Sequence, residues 1–316
     1  MEAVKSNYIP MYKRSIFTRI AHNMRRYWIL YLMFLPMLTY FLIFAYAPMG
    51  GLVIAFQNYR PALGIRESPF VGFQHFQDFF NSVFFTRVVR NTLLINLWSL
   101  VFGFPAAILF ALLLNELISK RLKKAVQTAT YMPHFISVVV AASITHMFVA
   151  NAGIINDIRV FFGFERIIFL NYPQYFRSIF VISGIWQGLG WSSIIYIAAL
   201  SGVSSELYDA AMVDGASRWR KIWHVSLPGI MPTIMIMLIL NIGGMMALGP
   251  ERIMLLYNPG IYETSDVIST FVFRRGIAEG RHGFAAAVGM FNSIINFILL
   301  LSADRIAKRF GQRGLF

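Results

Sequence analysis

No cysteine occurs among the 316 residues, which excludes disulfides and thiolate metal sites. Charge is scarce too: Asp, Glu, Lys and Arg make up 13% of the chain, against about a quarter in a soluble domain. No G-x-x-x-x-G-K-[ST] stretch occurs, so the chain lacks that phosphate cradle and is not expected to hydrolyse ATP by itself. The six histidines are scattered without clustered acidic partners, which argues against an enzyme embedded in the membrane. Internal repeats and low-complexity tracts are also missing, so the chain reads as one membrane domain.

Hydrophobic residues are abundant, at 57% with 16% aromatic. A spanning helix needs about 20 consecutive apolar residues. Six stretches meet that length without a single Asp, Glu, Lys or Arg: Trp28–Phe56, Asn91–Asn115, Ala129–Ala150, Ser178–Ser205, Ser226–Pro250 and His282–Ala303. They predict an all-α polytopic membrane protein of six transmembrane helices. Several contain helix breakers, among them Pro36, Pro48, Pro105, Pro133 and the Gly184, Gly188, Gly190 series. Neighbouring helices or a watered cavity must then satisfy the freed backbone groups. The composition of ordinary membrane helices accounts for part of this set, and a pathway with moving parts for the rest.

The net charge of +14 is sorted by loop rather than gathered on one face, which argues against nucleic acid as a partner. Six spans put both termini on one side, together with the loops at 116–128 and 202–225. That side holds 17 of the 28 Lys and Arg residues and all seven lysines: Lys5, Lys13, Lys120, Lys123, Lys124, Lys221 and Lys308. The positive-inside rule makes it the cytoplasmic side, with added attraction to anionic membrane lipid. The expected layout is a cytoplasmic tail at 1–27, a permease domain at 28–303 and a second cytoplasmic tail at 304–316. KRSIFTRIAHNMRRYW is expected to form an amphipathic helix on the membrane surface. The first apolar run is too long for a signal peptide and no small-residue cleavage site follows it, so it is expected to be retained. On the outer side NYRPALGIRESPFVG reads as a turn-rich loop, and FQHFQDFFNSVFF as a segment lying at the interface.

One charged island stands out, ELYDAAMVDGASRWRKIWHVSLP at 206–228. Ser205 is expected to cap a short helix with Glu206 and Asp209 in its first turn. Leu207, Ala210, Ala211 and Asp214 share a face, which the two alanines leave flat for close approach. Gly215 supplies the left-handed position that ends the helix. A second short helix begins near Ser217, and Leu227-Pro228 opens the next span. Physics alone leaves two readings level: a docking helix–turn–helix, or an ordered loop carrying positive-inside charge.

The pattern E-(x)3-A-A-(x)2-D-G-A, followed by L-P, resembles the EAA loop of ATP-binding-cassette (ABC) importer permeases. Glu206, Ala210, Ala211, Asp214, Gly215, Ala216, Leu227 and Pro228 occupy the matching places. Ile222 stands where Phe is usual and Val225 where Ile is usual. IWQGLGWSSIIYIAALSGVSSELYDAAMVDGA, NTLLINLWSLVFGFPAAILFALLLNE, ATYMPHFISVVVAA and ERIMLLYNPGIYETSDVISTFVFRRG are similar to the carbohydrate-uptake permeases, nearest the branch handling oligosaccharides and polysaccharide fragments. The likeness covers residue 25 to the C-terminus. It implies a type I ABC importer permease whose EAA loop, here 204–228, couples to a separate ATPase. Glu206 is then the charged contact, Ala210 and Ala211 the packed face, and Gly215 the required turn. The implied partners are a second homologous permease, two ABC ATPase subunits that bind the ATP and magnesium, an extracytoplasmic solute-binding protein and a saccharide. The chain itself holds no cofactor, metal or catalytic residue on this reading, and it belongs in a bacterial cell membrane.

Sugars are bound by aromatic faces with amide and hydroxyl partners. Trp186, Gln187, Trp191, Asn241, Asn292 and Asn296 are the mid-membrane candidates for the pathway, and interhelical hydrogen bonding is the alternative for each. His134 and His146 read as structural. The outer-side Arg252, Arg274, Arg275 and Arg281 offer attraction to an acidic sugar polymer. A non-sugar cargo such as amino acid, phosphate or metal stays open, as does an ion-coupled secondary transporter, which would usually need ionisable groups inside the spans.

Overall fold

The computed structural model describes residues 23–309; most of the expected amphipathic tail helix and the end of the C-terminal tail lie outside them. Every regular element among the described residues is helical, apart from an isolated antiparallel bridge between Gln57 and Phe70. Two units divide the chain, 1–53 and 54–316. The first contains α1 (Trp28–Phe41), an apolar helix with no buried residue and Pro36 inside it. A widened turn (Leu42–Tyr46) and a tight run (Ala47–Phe56) continue it.

The second unit contains α2 (Gln74–Phe80), α3 (Phe85–Asn115), α4 (Lys120–Tyr131), α5 (Val138–Val149), α6 (Ile154–Phe161) and α7 (Pro173–Ser201). It continues with α8 (Ser205–Val213), α9 (Arg218–Gly229), α10 (Met231–Gly243), α11 (Pro250–Leu256), α12 (Ile268–Val272) and α13 (His282–Arg309). Five stretches are long and apolar enough to cross a membrane: Trp28–Phe56, α3, Val138–Phe161, α7 and α13. The bent pair α9–α10 makes six if counted as one span, in keeping with the predicted number.

Two of the predicted spans differ in form. The run Ala129–Ala150 is a corner rather than one rod: α4 ends at Tyr131, Pro133 sits in a tight turn, and Ser137 caps α5 by accepting from Val140 N at 3.3 Å. A serine ahead of a β-branched run restarts the helix where the proline stopped it. The predicted fifth span is α10 joined to α9 at a 63° bend around Ile230. Pro232 brings no N–H to the first turn of α10, and Gly229 lets the chain pass Val203, whose Cγ2 lies 2.8 Å from where a Cβ would stand.

The spans also run past their charge-free centres. Arg87 and Arg90 fall within α3, Arg177 within α7, and Asp304 within α13, where it pairs with Lys308 at 2.8 Å. The expectation of spans free of charged residues therefore holds for their middles and not their ends. The segment FQHFQDFF does not simply lie at an interface. Phe79 of α2 is fully buried, ringed by Phe85, Phe271, Phe284 and Phe291 at centroid distances of 5.1 to 6.3 Å.

Helix α7 is the axis of the second unit. Its 29 residues run about 43 Å. Near Pro173, Phe176, Phe180 and Val181 pack with Ile95, Ile253 and Ile261. At the other end Tyr196 and Leu200 pack with Ala107, Ala111, Ile222 and Ile234. Lipid is as apolar as these side chains, so close contact holds the helices together. Gly190 makes one of the tightest such contacts: a Cβ there would strike the Thr130 carbonyl and sit 2.7 Å from the Tyr131 ring. Backbone cannot step aside cheaply, so Gly190→Ala should lose about 1–3 kcal/mol of stability. Thermal unfolding in detergent checks this, with Gly188→Ala, whose Cβ meets only Ser192 Oγ at 4.0 Å, expected to melt like wild type.

Three of the four widened turns among the described residues, Leu42–Tyr46, Ser99–Gly103 and Ile222–Ser226, share one cause that the fourth, Phe273–Ala278, lacks. Each ends two residues before a proline: Pro48, Pro105 and Pro228. A proline ring excludes the carbonyl four residues back, here Phe44, Val101 and His224, and each of these lies inside the widened turn.

Candidate functional site

The island folds as a helix–turn–helix. Its cap is Ser204, one residue before the predicted one, with Oγ accepting from Glu206 N at 3.2 Å. Helix α8 then ends at Gly215, φ +72°. Ala216 N donates to Ala211 O at 2.9 Å and Gly215 N to Met212 O at 3.0 Å, the paired bonds of a Schellman stop. Ser217 caps α9 by accepting from Arg220 N at 3.4 Å. Helix α8 buries no residue. Glu206, Ala210, Asp214 and Gly215 are exposed, Ala211 and Ala216 half-buried. Leu207, Met212, Val213, Trp219 and Trp223 add exposed apolar surface.

This surface is fixed to the bundle. Tyr208 and Ser226 share a hydrogen bond at 2.9 Å, with Ser226 buried. Ile222 inserts between Ala107, Tyr196 and Leu200, and Leu227 packs beside it; Pro228 follows as the proline behind the third widened turn. A push on α8 therefore reaches α3, α7 and α10 through packed side chains.

A cavity of about 1020 Å³ opens beside α7. Asn96, Ser99, Trp191, Asn241, Glu251 and Arg252 supply its polar and aromatic wall, and Gly103, Gly184 and Gly188 leave the space free of side chains. Asn96 donates to Thr92 O and Asn241 to Met237 O, both at 2.8 Å, so each amide is turned by its own helix. The Trp191 ring is backed by His134, stacked at 4.5 Å and 4°.

Of the predicted pathway residues, Trp191 and Asn241 line this cavity. Trp186 is exposed outside it. Gln187 braces the corner before α5, donating to Ile136 O at 3.1 Å. Asn292 and Asn296 do share a face of α13, but that face grips one residue: Asn292 donates to Met246 O at 2.9 Å and Met246 N donates to Asn296 at 3.0 Å. His134 and His146 have the structural roles expected of them, His146 donating to Leu255 O at 2.8 Å. Asn96, Ser99, Glu251 and Arg252 were not among the predicted pathway residues. The first two were legible as polar positions in a span; the last two lie just past the apolar run that ends at Pro250.

At the far end of α7 a buried carboxylate ties three segments. Asp266, with no exposed surface, accepts from Arg87 and Arg274 at 2.9 Å each and from Thr270 at 3.0 Å. Asn91 donates to the carbonyls of Glu263 and Asp266, and Arg177 donates to the Asn91 side chain at 3.0 Å. Burial alone would lower the Arg274 guanidinium, but the bond and charge of Asp266 outweigh it and raise its pKa.

A family model described as the binding-protein-dependent transport system inner membrane component matches residues 103–312. Protein LplB of Bacillus subtilis is 43% identical over 91% of both chains. The polygalacturonan/rhamnogalacturonan transport system permease protein YteP of the same organism is also 43% identical, over 91% of this chain and 90% of its own. A crystal structure of a bacterial ABC transporter involved in import of the acidic polysaccharide alginate contains a chain 42% identical, with TM-score 0.84 over 92% of this chain and 99% of that one. The bacterial alginate ABC transporter, in complex with a periplasmic protein bound to alginate pentasaccharide, matches at TM-score 0.86 and 41% identity, over 94% and 100%.

Proposed function

This chain belongs to the binding-protein-dependent transport system inner membrane components, and on that premise we propose that it carries oligosaccharides or polysaccharide fragments into the cytoplasm. It is a multi-pass permease subunit and not an enzyme. The proposed assembly adds a second, homologous permease, an extracytoplasmic binding protein that delivers the saccharide, and two ABC ATPases that bind ATP and magnesium. Both termini and the island face the cytoplasm, in line with the lysine distribution.

The observation that carries this reading is the pairing of an exposed, rigidly anchored α8 with a cavity walled by Trp191, Asn96 and Asn241. The flat Ala210–Ala211 face seats α8 in an ATPase groove, Glu206 makes the charged contact, and Gly215 sets the turn. Closure of the ATPase pair moves α8, and Ile222 passes that motion to the helices around the cavity. ATP binding favours the outward-facing state; hydrolysis and release return the inward-facing one. Nucleotide and loaded binding protein act by biasing this equilibrium.

Tagging the chain in its host, extracting it gently and identifying its companions tests the proposal. An ABC ATPase and a second permease should be recovered, and a Glu206→Lys variant should lose the ATPase while keeping the permease. Recovery of the chain alone, with uptake unaffected by Glu206→Lys, would overturn it.

A further inference from the structure

The cavity holds one cation among its described lining residues, Arg252, and that cation is built in rather than hanging loose. Its Nη2 donates to Ser183 Oγ at 2.7 Å and to Phe180 O at 3.2 Å. The guanidinium lies 4.8 Å from the centre of the Phe180 ring. Gly184 makes the room, since a Cβ there would lie 2.8 Å from Nη1. Ser183 is ten residues past Pro173, so this charge sits about 15 Å along α7 from its outer end.

Every partner of Arg252 is neutral. Arg87 and Arg274 share Asp266, Arg275 pairs with Glu279 at 2.7 Å and Arg166 with Asp157 at 2.6 Å, whereas no carboxylate lies within ion-pair distance of Arg252 among the described residues. Glu251 lines the same cavity but is exposed and makes no ion pair there. A guanidinium stays charged under all ordinary conditions, and its planar fork suits a carboxylate. Holding it inside the bundle without a counter-charge is costly unless something passing through supplies one. Along the same face of α7, Gly184, Gly188 and Trp191 follow at helical spacing, which puts the Trp191 ring about 10 Å further in, a distance on the scale of a disaccharide.

We propose that Arg252 is the charge-reading residue of the pathway, pairing with the carboxylate of a uronic acid unit while Trp191 stacks against a neighbouring sugar. The cargo class is then an acidic oligosaccharide rather than a neutral one. The inference rests on the saccharide reading above and narrows it. Glu251 beside the site repels a misplaced carboxylate and accepts from hydroxyls.

The test uses the complete importer, assembled with its partner subunits in nanodiscs, and two pairs of probes. These are trigalacturonate and trimannuronate, each with its counterpart reduced from carboxylate to primary alcohol. Wild type should bind the acidic member of a pair at least about tenfold more tightly, the worth of one charge-assisted hydrogen bond. Arg252→Gln should erase that preference by weakening the acidic probe alone. Gly184→Ala, which displaces the guanidinium but keeps its charge, should weaken the acidic probe in the same direction. Equal loss for both members, or no loss, would make Arg252 only a brace between α7 and α11 and overturn the proposal. So would a wild type that prefers the neutral probes, which leaves the saccharide reading standing. If neither kind binds and cells with the intact importer take up no oligosaccharide, both readings fall together.

Discussion

Gly215→Asp is expected to reduce uptake to background while the protein still inserts at its normal level. Beyond its chain neighbours, nothing among the described residues lies within 4 Å of a Cβ at this position, so the new side chain meets open space there. Two costs remain. The backbone is held at φ +72°, where a residue other than glycine loses about 1–2 kcal/mol. The carboxylate also projects from the turn of the proposed docking surface, beside the exposed Asp214. The strain lowers affinity only as far as the free turn relaxes out of its docking shape, and with the lost fit it should weaken ATPase binding by about tenfold or more, each 1.4 kcal/mol being about tenfold. Gly215→Asn separates them, because asparagine tolerates the left-handed region and carries no charge. It should keep part of the uptake. Uptake at the wild-type level in Gly215→Asp, measured with any saccharide the intact importer carries, would remove the coupling role from α8.

Asp266→Ala should produce the largest loss of stability. The carboxylate has no exposed surface, and both Arg87 and Arg274 direct a guanidinium N–H at one of its oxygens. Deleting it leaves two cations facing each other across a buried gap and removes a partner from Thr270. Breaking a buried ion pair from one side costs about 3–5 kcal/mol. The thermal midpoint in detergent should fall sharply and the amount in the membrane with it. Asp266→Asn keeps the shape and half of the acceptors, so it should fall less. Arg87→Gln should be milder still, because Arg274 remains to neutralise the carboxylate. An unchanged midpoint in Asp266→Ala would show that this network does not hold the N-terminal ends of α3, α7 and α12 together.

The island was legible almost to the residue, because its signals are local. A glycine that ends a helix, two alanines on one face and a serine cap depend on nothing distant; the cap moved from Ser205 to Ser204, which leaves Glu206 but not Asp209 in the first turn. The corner between α4 and α5 was not legible. In an apolar run Pro133 reads as a kink, and nothing nearby shows that Gln187, 51 residues away, satisfies the Ile136 carbonyl the corner exposes. Asn292 and Asn296 were placed correctly on one face, but what that face meets is set by the turn after α10, where Met246 is drawn in. Arg252, expected only as an outer-side attraction for an acidic sugar polymer, escaped the search for residues inside the pathway for a different reason. The length test for a span stops at the first charge, whereas α10 ends at Gly243 and the chain re-enters the bundle as α11 with its arginine turned toward Gly184.

The widened turns ahead of Pro48, Pro105 and Pro228 set angular phase. Each takes up one residue more than a regular turn, which rotates everything beyond it by about 100° around the helix axis. The side chains beyond Pro105, Ala107 and Ala111 among them, are composed for the rotated setting in which they meet Tyr196 and Leu200. A proline two residues past the turn prevents the helix from winding back to regular pitch and turning that surface away. These prolines act as registration marks, keeping the two halves of a long helix aimed at different neighbours.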